Sequence, residues 1–353
     1  MEIALLKIFI PAILSFVIGI LATPTLAHYL YKYKAWKKKA GKGKGIGGGE
    51  TPIFDEMHKE REVNTPRMGG ILIWGSVFIT TLLLFVIARI FPTDLTIALD
   101  FLSRSQTWVP FTAFMFGALV GMIDDILEVT KGGGGLSLPK RLLLVGAIAA
   151  FVGFWFYAKL DVTGIAIPFD GVLHLGMFIV PFFIITTLLI YAGGTIDGID
   201  GLAGGVFAIM FAAYAVIAFS QAQFDLAALC ITIAGAIIAF LWFNIPPARF
   251  YMSETGSMAL TIVLTIIAFM TDTLGGGIGI VVLPIIAFPL TITVLTTVLQ
   301  VLSKKFFKKK IFKVAPIHHH FEALGWPPYK VVMRYWVITL MAAIVGMILA
   351  ILG

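Results

Sequence analysis

Apolar residues occur in long, nearly uninterrupted runs along this chain, and short segments between the runs hold most of the charged residues. A transmembrane helix needs about 20 predominantly apolar residues, and every backbone polar group inside a bilayer must find an internal hydrogen bond. The runs therefore predict an all-α polytopic membrane protein. Its ten spans are predicted at residues 3–31, 68–91, 107–127, 141–158, 173–196, 198–219, 226–244, 256–271, 276–302 and 331–352.

Composition supports this fold class and excludes a soluble protein. The chain has 353 residues, of which 59% are hydrophobic and 13% are charged, whereas soluble domains carry about 25% charged residues. We expect a single transmembrane domain over residues 1–353, with a flexible, Lys/Gly-rich cytoplasmic loop at about 32–66. The first span lacks a small-residue cleavage site and is expected to be a retained helix. The only cysteine, Cys230, excludes an intrachain disulfide.

The net charge of +7 is concentrated in three segments that follow the first, third and ninth spans. By the positive-inside rule these segments are cytoplasmic, and an even number of spans then puts both termini outside, on the periplasmic side. Basic stripes also occur in proteins that bind nucleic acid, but no recognition element is visible. Orientation and contact with anionic headgroups explain them, so we expect the lipid bilayer as a partner and no nucleic acid.

Five carboxylates and three histidines fall at the predicted cytoplasmic ends of separate spans. They are Asp124, Asp125, Asp197, Asp200, Glu254, His318, His319 and His320. Taken singly, each acid is explained as an interfacial residue that faces water. Charged groups near lipid are costly and usually functional, however, so acids from three segments at one level favour a shared site.

Clustered carboxylates raise one another's pKa unless a cation neutralises them. Mg²⁺ is the natural cation, because it takes hard oxygen ligands and usually shares them with substrate phosphates. Three consecutive histidines do not converge easily on one metal. Beside a metal–phosphate site they would bind phosphate or transfer protons. The residues alone therefore predict a membrane enzyme with a polar site, which we expect to bind Mg²⁺, at one face of the bilayer.

Six sequence blocks carry a family resemblance. They are Thr65–Gly70, Gly121–Asp125, Gly135–Lys140, Asp197–Ala203, Asn244–Ser257 and Ala315–Glu322, the last extended by Gly325–Trp326 and Arg334–Trp336. In these blocks the chain resembles the phospho-N-acetylmuramoyl-pentapeptide transferases, within the superfamily of polyprenyl-phosphate N-acetylhexosamine-1-phosphate transferases. The histidine block discriminates best among the relatives.

The resemblance implies a reaction in peptidoglycan biosynthesis at the bacterial inner (plasma) membrane. UDP-N-acetylmuramoyl-pentapeptide and undecaprenyl phosphate would give lipid I and UMP. Family members are often dimeric, so the resemblance also admits a homodimer. The residues support the same location independently, because a nucleotide arriving from the cytoplasm and a lipid phosphate arriving from the bilayer meet at the cytoplasmic membrane surface.

The resemblance also implies roles for individual residues. Asp124 would orient or deprotonate the lipid phosphate, Asp125 and Glu254 would bind Mg²⁺, and Asp197 would support the metal or the phosphates. The remaining candidates are expected to bind substrate: Lys140 the diphosphate, Asp200 the nucleotide base, Tyr251 the uracil by stacking, Asn244 within its block, and His318, His319 and His320 the phosphates or the sugar.

Several positions depart from the family pattern. Glu254 stands where the family has a metal-binding aspartate, and Tyr191 and Gly194 stand where it has asparagines. The further departures are Glu62 for a lysine, Leu144 for a glutamine and Pro328 for an acid. These changes leave open an altered sugar nucleotide, altered metal use or reduced activity.

Two alternatives to this function remain. One is transfer of another UDP-N-acetylhexosamine 1-phosphate to a polyprenyl phosphate, against which the histidine block argues. The other is a transporter or a non-catalytic membrane scaffold. A transporter would be expected to place its polar site near the bilayer midplane, whereas these acids lie at the ends of spans.

Overall fold

The computed structural model describes residues 2–38, 63–130 and 134–353. Most of the predicted cytoplasmic loop at 32–66 lies outside the described residues, so its predicted flexibility and the single-domain boundaries stay predictions. The helices are α1 Glu2–Lys32, α2 Gly70–Ile90, α3 Asp94–Leu99, α4 Trp108–Thr130, α5 Leu138–Lys159, α6 Ile179–Gly193, α7 Leu202–Ser220, α8 Phe224–Asn244, α9 Ser253–Met270, α10 Gly279–Ile286, α11 Phe288–Phe307, α12 Ile317–Ala323 and α13 Pro328–Leu352.

Ten of the described helical segments are long and apolar enough to cross a membrane, which confirms the predicted number of spans. The predicted ninth span is divided: α10 and α11 meet at Ala287, and prolines lie on both sides, at 284 and 289. A proline cannot donate the backbone hydrogen bond that a continuous helix requires. The break between the fifth and sixth spans is the segment Asp197–Gly201, which connects a short 3-10 turn to α7.

A two-stranded antiparallel hairpin was not predicted from the sequence. Strand β1, Gly164–Ile167, pairs with β2, Gly171–His174, so that Ile165 faces Leu173 in the register. The strands have four residues each, which is too short for a hydropathy pattern to reveal. The buried carboxylate of Asp272 fixes the hairpin, accepting hydrogen bonds from Ala166 N at 2.8 Å and from Ile280 N at 3.0 Å.

Helix α9 is the centre of the bundle. In its most apolar 18-residue stretch 94% of the residues are buried, compared with 22% in α1. Helices α2, α4 and α6 pack against it, while α7 and α8 complete the interior. The hydroxyls of Thr261 and Thr265 bond to carbonyls four residues earlier in the same helix. Polar side chains in the interior of α9 are thereby satisfied without any contact with lipid.

Two glycines allow neighbouring helices to approach the start of α9 closely. A Cβ atom at Gly70 of α2 would overlap the backbone of Gly256, and one at Gly121 of α4 would overlap the carbonyl of Glu254. Glycine is the residue that permits such backbone contact between helices in a membrane. The position of Glu254 in the bundle is therefore set from both sides by backbone packing.

The substitution Gly70→Ala tests this packing. We expect it to lower the free energy of unfolding by about 1–3 kcal/mol, the usual cost of overpacking. Gly75→Ala, five residues later in the same helix, is the matched control, because nothing lies within 4 Å of its Cβ position. The control should change stability by less than about 1 kcal/mol. Thermal unfolding in detergent measures both variants, and equal stability would contradict the proposed contact.

Candidate active site

The N-terminus of α9 is capped by carboxylates from distant parts of the chain. Met252 at the N-cap position makes no side-chain hydrogen bond to the helix. Instead, Ser253 N donates to Asp197 Oδ2 at 2.8 Å, and Thr255 N donates to Asp125 Oδ2 at 2.9 Å. The hydroxyl of Thr255 donates to the same oxygen at 2.6 Å. Negative charge is favourable at a helix N-terminus, where backbone N–H groups lack partners.

The second oxygen of Asp125 faces a guanidinium. Arg67 Nη2 lies 3.3 Å from Asp125 Oδ1 and 3.0 Å from Glu128 Oε2, and Lys37 Nζ is 3.5 Å from Glu128 Oε1. Burial alone would lower the pKa of Arg67, but Asp125 and Glu128 raise it above its ordinary value. Because Asp125 is fully buried, its charge requires such a partner.

A second arginine joins two other acids. Arg141, in the first turn of α5, forms an ion pair with Glu254 Oε1 and lies 3.7 Å from Asp124 Oδ2. Tyr191 OH donates to the other oxygen of Glu254 at 3.1 Å. Asp124 Oδ1 accepts a hydrogen bond from Leu136 N. Tyr191 and Glu254 are thus in direct contact.

The segment Asp197–Gly201 packs against the histidine block. A Cβ atom at Gly198 would lie 2.5 Å from His319 Nε2 and 3.2 Å from His318 Nε2. Both rings are buried, and His319 Nδ1 is 2.7 Å from Glu322 Oε2. This contact fixes the orientation of the His319 ring.

His320 points elsewhere. Its Nδ1 accepts a hydrogen bond from Lys313 N at 3.2 Å, and its ring packs edge-on against Phe312. Burial and the nearby charge of Lys313 lower the pKa of His320. The three consecutive histidines therefore do not share one environment. His318 and His319 lie against Gly198, whereas His320 contacts Lys313.

Asp200 and Asn244 hold the surrounding loops. Ala248 N donates to Asp200 Oδ2 at 3.1 Å. Asn244 is buried, accepts from Gly201 N at 2.9 Å and donates to Phe250 O at 2.9 Å. Substrate binding by either residue stays a prediction. In the structure Asn244 connects the end of α8 to Gly201, which precedes α7, and to Phe250, which lies shortly before α9.

Lys140 and Tyr251 lie at the edge of the site. Lys140 is exposed in the first turn of α5, one residue before Arg141, and Tyr251 is half-buried. The backbone of Tyr251 pairs with the first sequence block, through Tyr251 N to Pro66 O at 2.8 Å and Gly69 N to Tyr251 O at 2.7 Å. Their predicted contacts with diphosphate and uracil stay predictions.

Sequence reasoning gave no site role to Arg67, Arg141 or Ser253. Arg67 lies within a matched block, and Arg141 lies in the charged segment that follows the third predicted span. The available signal was the position of each arginine, at the start of an apolar run and level with the acids. A buried arginine is costly unless it is paired, so acids and arginines at one level predict contacts between them.

The arrangement does not fit the predicted Mg²⁺. Among residues 2–38, 63–130 and 134–353, no three acidic, histidine or cysteine side chains are grouped so that they could hold one ion. The oxygens of Asp125 face Thr255 and Arg67, and those of Glu254 face Arg141 and Tyr191. Binding of Mg²⁺ by Asp125, Asp197 and Glu254 stays a prediction.

Comparison with known proteins identifies similar sequences. The profile described as glycosyl transferase family 4 matches residues 107–272. The phospho-N-acetylmuramoyl-pentapeptide-transferase of Geobacillus sp. (strain WCH70) is 31% identical over 342 residues, 95% of each chain. The protein of that name from Bacillus subtilis (strain 168) is 30% identical over 345 residues, again 95% of each chain. The one from Bacillus cytotoxicus is 33% identical over 305 residues, 83% of this chain and 87% of the relative.

The ionisation of Asp197 should be visible in the stability of the protein. Burial raises the pKa of Asp197 from 3.8 to about 6, although the hydrogen bond from Ser253 opposes the change. Between these two pH values the folded protein binds the proton more tightly than the unfolded chain. The contribution of Asp197 to the free energy of unfolding is therefore fully present below pH 3.8 and decreases as the pH rises to about 6.

We expect Asp197→Asn to gain stability relative to the unsubstituted protein as the pH rises through that window, because the amide accepts from Ser253 N without carrying a charge. Thermal unfolding in detergent across the window measures the difference. Asp170→Asn, at an exposed position in the hairpin turn, is the control. Parallel pH profiles for Asp197→Asn and the unsubstituted protein would contradict the raised pKa.

Proposed function

The chain belongs to the phospho-N-acetylmuramoyl-pentapeptide transferases, and from this membership we propose that it transfers phospho-N-acetylmuramoyl-pentapeptide from UDP to undecaprenyl phosphate, giving lipid I and UMP. The observation that carries the proposal is 31% identity over 95% of the chain. The contacts among the matched blocks support it, because residues 67, 125, 141, 197 and 254 and the histidine block surround one helix N-terminus.

The reaction is an in-line phosphoryl transfer. An oxygen of the lipid phosphate attacks the sugar-linked phosphorus of the donor. A new P–O bond forms as the bond from that phosphorus to the bridging oxygen breaks, and UMP leaves with the bonding electrons. Such reactions depend mainly on alignment and on neutralisation of phosphate charge. The protein must therefore hold two phosphorylated substrates together and supply positive charge between them.

The described residues include candidates for these tasks. We assign Asp124 to orienting the lipid phosphate, His318 and His319 to the phosphates or the sugar, and Lys140 to the diphosphate. Asp200 and Tyr251 are assigned to the nucleotide. His320, which accepts a hydrogen bond from Lys313 N, is assigned with the other two histidines to the phosphates or the sugar. These assignments rest on position in the matched blocks and on the contacts described above.

We propose that the site faces the cytoplasm of a bacterial inner membrane and that both termini face outward. The lysine-rich segments support this orientation, since Lys37 and Lys313 contact Glu128 and His320 at the site end of the bundle. Excess positive charge favours the cytoplasmic side. UDP-N-acetylmuramoyl-pentapeptide would then enter from the cytoplasm, and undecaprenyl phosphate from the bilayer. Assembly as a homodimer stays a prediction.

The first test is UMP release and lipid I formation by the purified, detergent-solubilised protein. The substrates are UDP-N-acetylmuramoyl-pentapeptide and undecaprenyl phosphate, with and without Mg²⁺, and other UDP-N-acetylhexosamines are assayed in parallel. Lipid I together with UMP is the expected result. Turnover of another UDP-sugar alone would assign a different substrate, and no turnover from folded protein with any donor would favour a non-catalytic membrane protein.

We expect Asp125→Asn to lower the rate of transfer at least about a hundredfold, the usual cost of removing one electrostatic group from an active site. The amide can still accept from Thr255 N, so the protein should fold, but Arg67 loses a negative partner. Asp100→Asn is the matched control, because Asp100 is also paired with an arginine, Arg89, at 2.9 Å. Substantial transfer by folded Asp125→Asn would remove Asp125 from the catalytic site.

A further inference from the structure

Both oxygens of Glu254 have protein partners. One oxygen pairs with the guanidinium of Arg141 and the other accepts from Tyr191 OH at 3.1 Å. A carboxylate with a cation on one oxygen and a hydroxyl on the other is held in a single orientation. In this structure Glu254 therefore anchors Arg141, whereas the sequence predicted it as a metal ligand.

Arg141 keeps hydrogen-bonding capacity for a ligand. Its side chain is about one quarter exposed, whereas Asp124 beside it is almost completely buried. The Nε atom of Arg141 is buried, and among the described residues it has no hydrogen-bond partner. A guanidinium has five N–H donors, and those on the exposed side can meet an incoming anion.

A second donor lies next to Glu254 in the chain. The hydroxyl of Ser253 is buried, and within the described part of the chain it has no hydrogen-bond partner. Buried polar groups without partners are rare, and each needs an explanation. Arg141, which pairs with Glu254, and Ser253, which precedes Glu254 in the chain, thus each keep an unused donor near the N-terminus of α9.

The negative charge of the nearby carboxylates explains why an arginine is favourable at position 141. Asp124, Asp125 and Glu254 are close together, and carboxylates in one pocket need nearby positive charge. Arginine remains charged at any physiological pH and binds phosphate oxygens through two parallel hydrogen bonds. A cation that is fixed in the protein can balance these acids and also receive phosphate.

We propose that Arg141, anchored by Glu254 and Tyr191, supplies the positive charge that binds the donor's diphosphate in this chain, so that nucleotide binding does not require Mg²⁺. The inference rests on the transferase function proposed above. Arg141 is in this view a binding residue, and Glu254 and Tyr191 are positioning residues that act through it.

The test is binding of UDP to the purified full-length protein in detergent, measured by calorimetry with Mg²⁺ present and again with a chelator. For the unsubstituted protein we expect the dissociation constant to change by less than about threefold between the two conditions, equivalent to under about 0.7 kcal/mol. Binding of UDP that is lost on chelation, or absent in both conditions, would overturn the proposal.

Arg141→Gln should weaken binding of UDP by roughly tenfold to a hundredfold in the presence of chelator, the usual value of hydrogen bonds to a charged group. Arg89→Gln is the matched control, because Arg89 is also paired with a carboxylate, Asp100, away from the site. The control should bind UDP as the unsubstituted protein does. Equal affinities of the two variants would exclude Arg141 from the nucleotide site.

Conservative variants separate binding from folding. Arg141→Lys retains a positive charge and should recover part of the affinity lost in Arg141→Gln. Tyr191→Phe removes only the hydroxyl that holds Glu254, and it should weaken binding of UDP less than Arg141→Gln does. If Arg141→Gln fails to fold, these two variants decide: unchanged affinity in both would overturn the proposal.

The activity assay distinguishes the failure of this inference from the failure of the proposed function. Lipid I formed only with Mg²⁺, by a protein that binds UDP only with Mg²⁺, would leave the transferase function standing and refute the role of Arg141. If binding of UDP survives chelation and is lost in Arg141→Gln, but no lipid I forms under any condition, the role of Arg141 stands and the transferase function is refuted.

Discussion

The N-terminus of α9 is the point on which the site depends. This helix is buried over almost its whole length, and its first residues provide no side-chain cap of their own. Free N–H groups in such a place are costly, because neither water nor lipid can satisfy them. Asp197 and Asp125 accept those hydrogen bonds from outside the helix. The chain must therefore bring two carboxylates to one place before any chemistry is considered.

Once the carboxylates are buried, they determine what else must be present. Arg67 faces Asp125, and Arg141 lies between Glu254 and Asp124. Removal of one partner from such a pair would destabilise the bundle, because it would leave a buried charge without compensation. The same pairs supply the cations that a phosphorylated substrate needs. The same side chains thus meet both the structural and the chemical requirement.

Much of the fold could be predicted. The length of the apolar runs gives the ten spans, and counting along the chain places the acids at the same ends of those spans. The contacts could not be predicted. Hydropathy does not reveal that Arg141 turns toward Glu254, or that Tyr191 reaches the same carboxylate, because both depend on how α5, α6 and α9 pack. The break at Ala287 and the hairpin at Asp272 were missed for the same reason: local backbone geometry and one buried acid decide them.

The enclosure of α9 has a consequence for how the protein experiences its membrane. Helices that face lipid respond to bilayer thickness by tilting or by distorting the bilayer around them. A helix that is surrounded by protein does not contact lipid, so bilayer thickness does not act on it directly. Since the start of α9 is also fixed by backbone contacts at Gly70 and Gly121, the depth and shape of the site should be insulated from changes in lipid composition that move the outer helices.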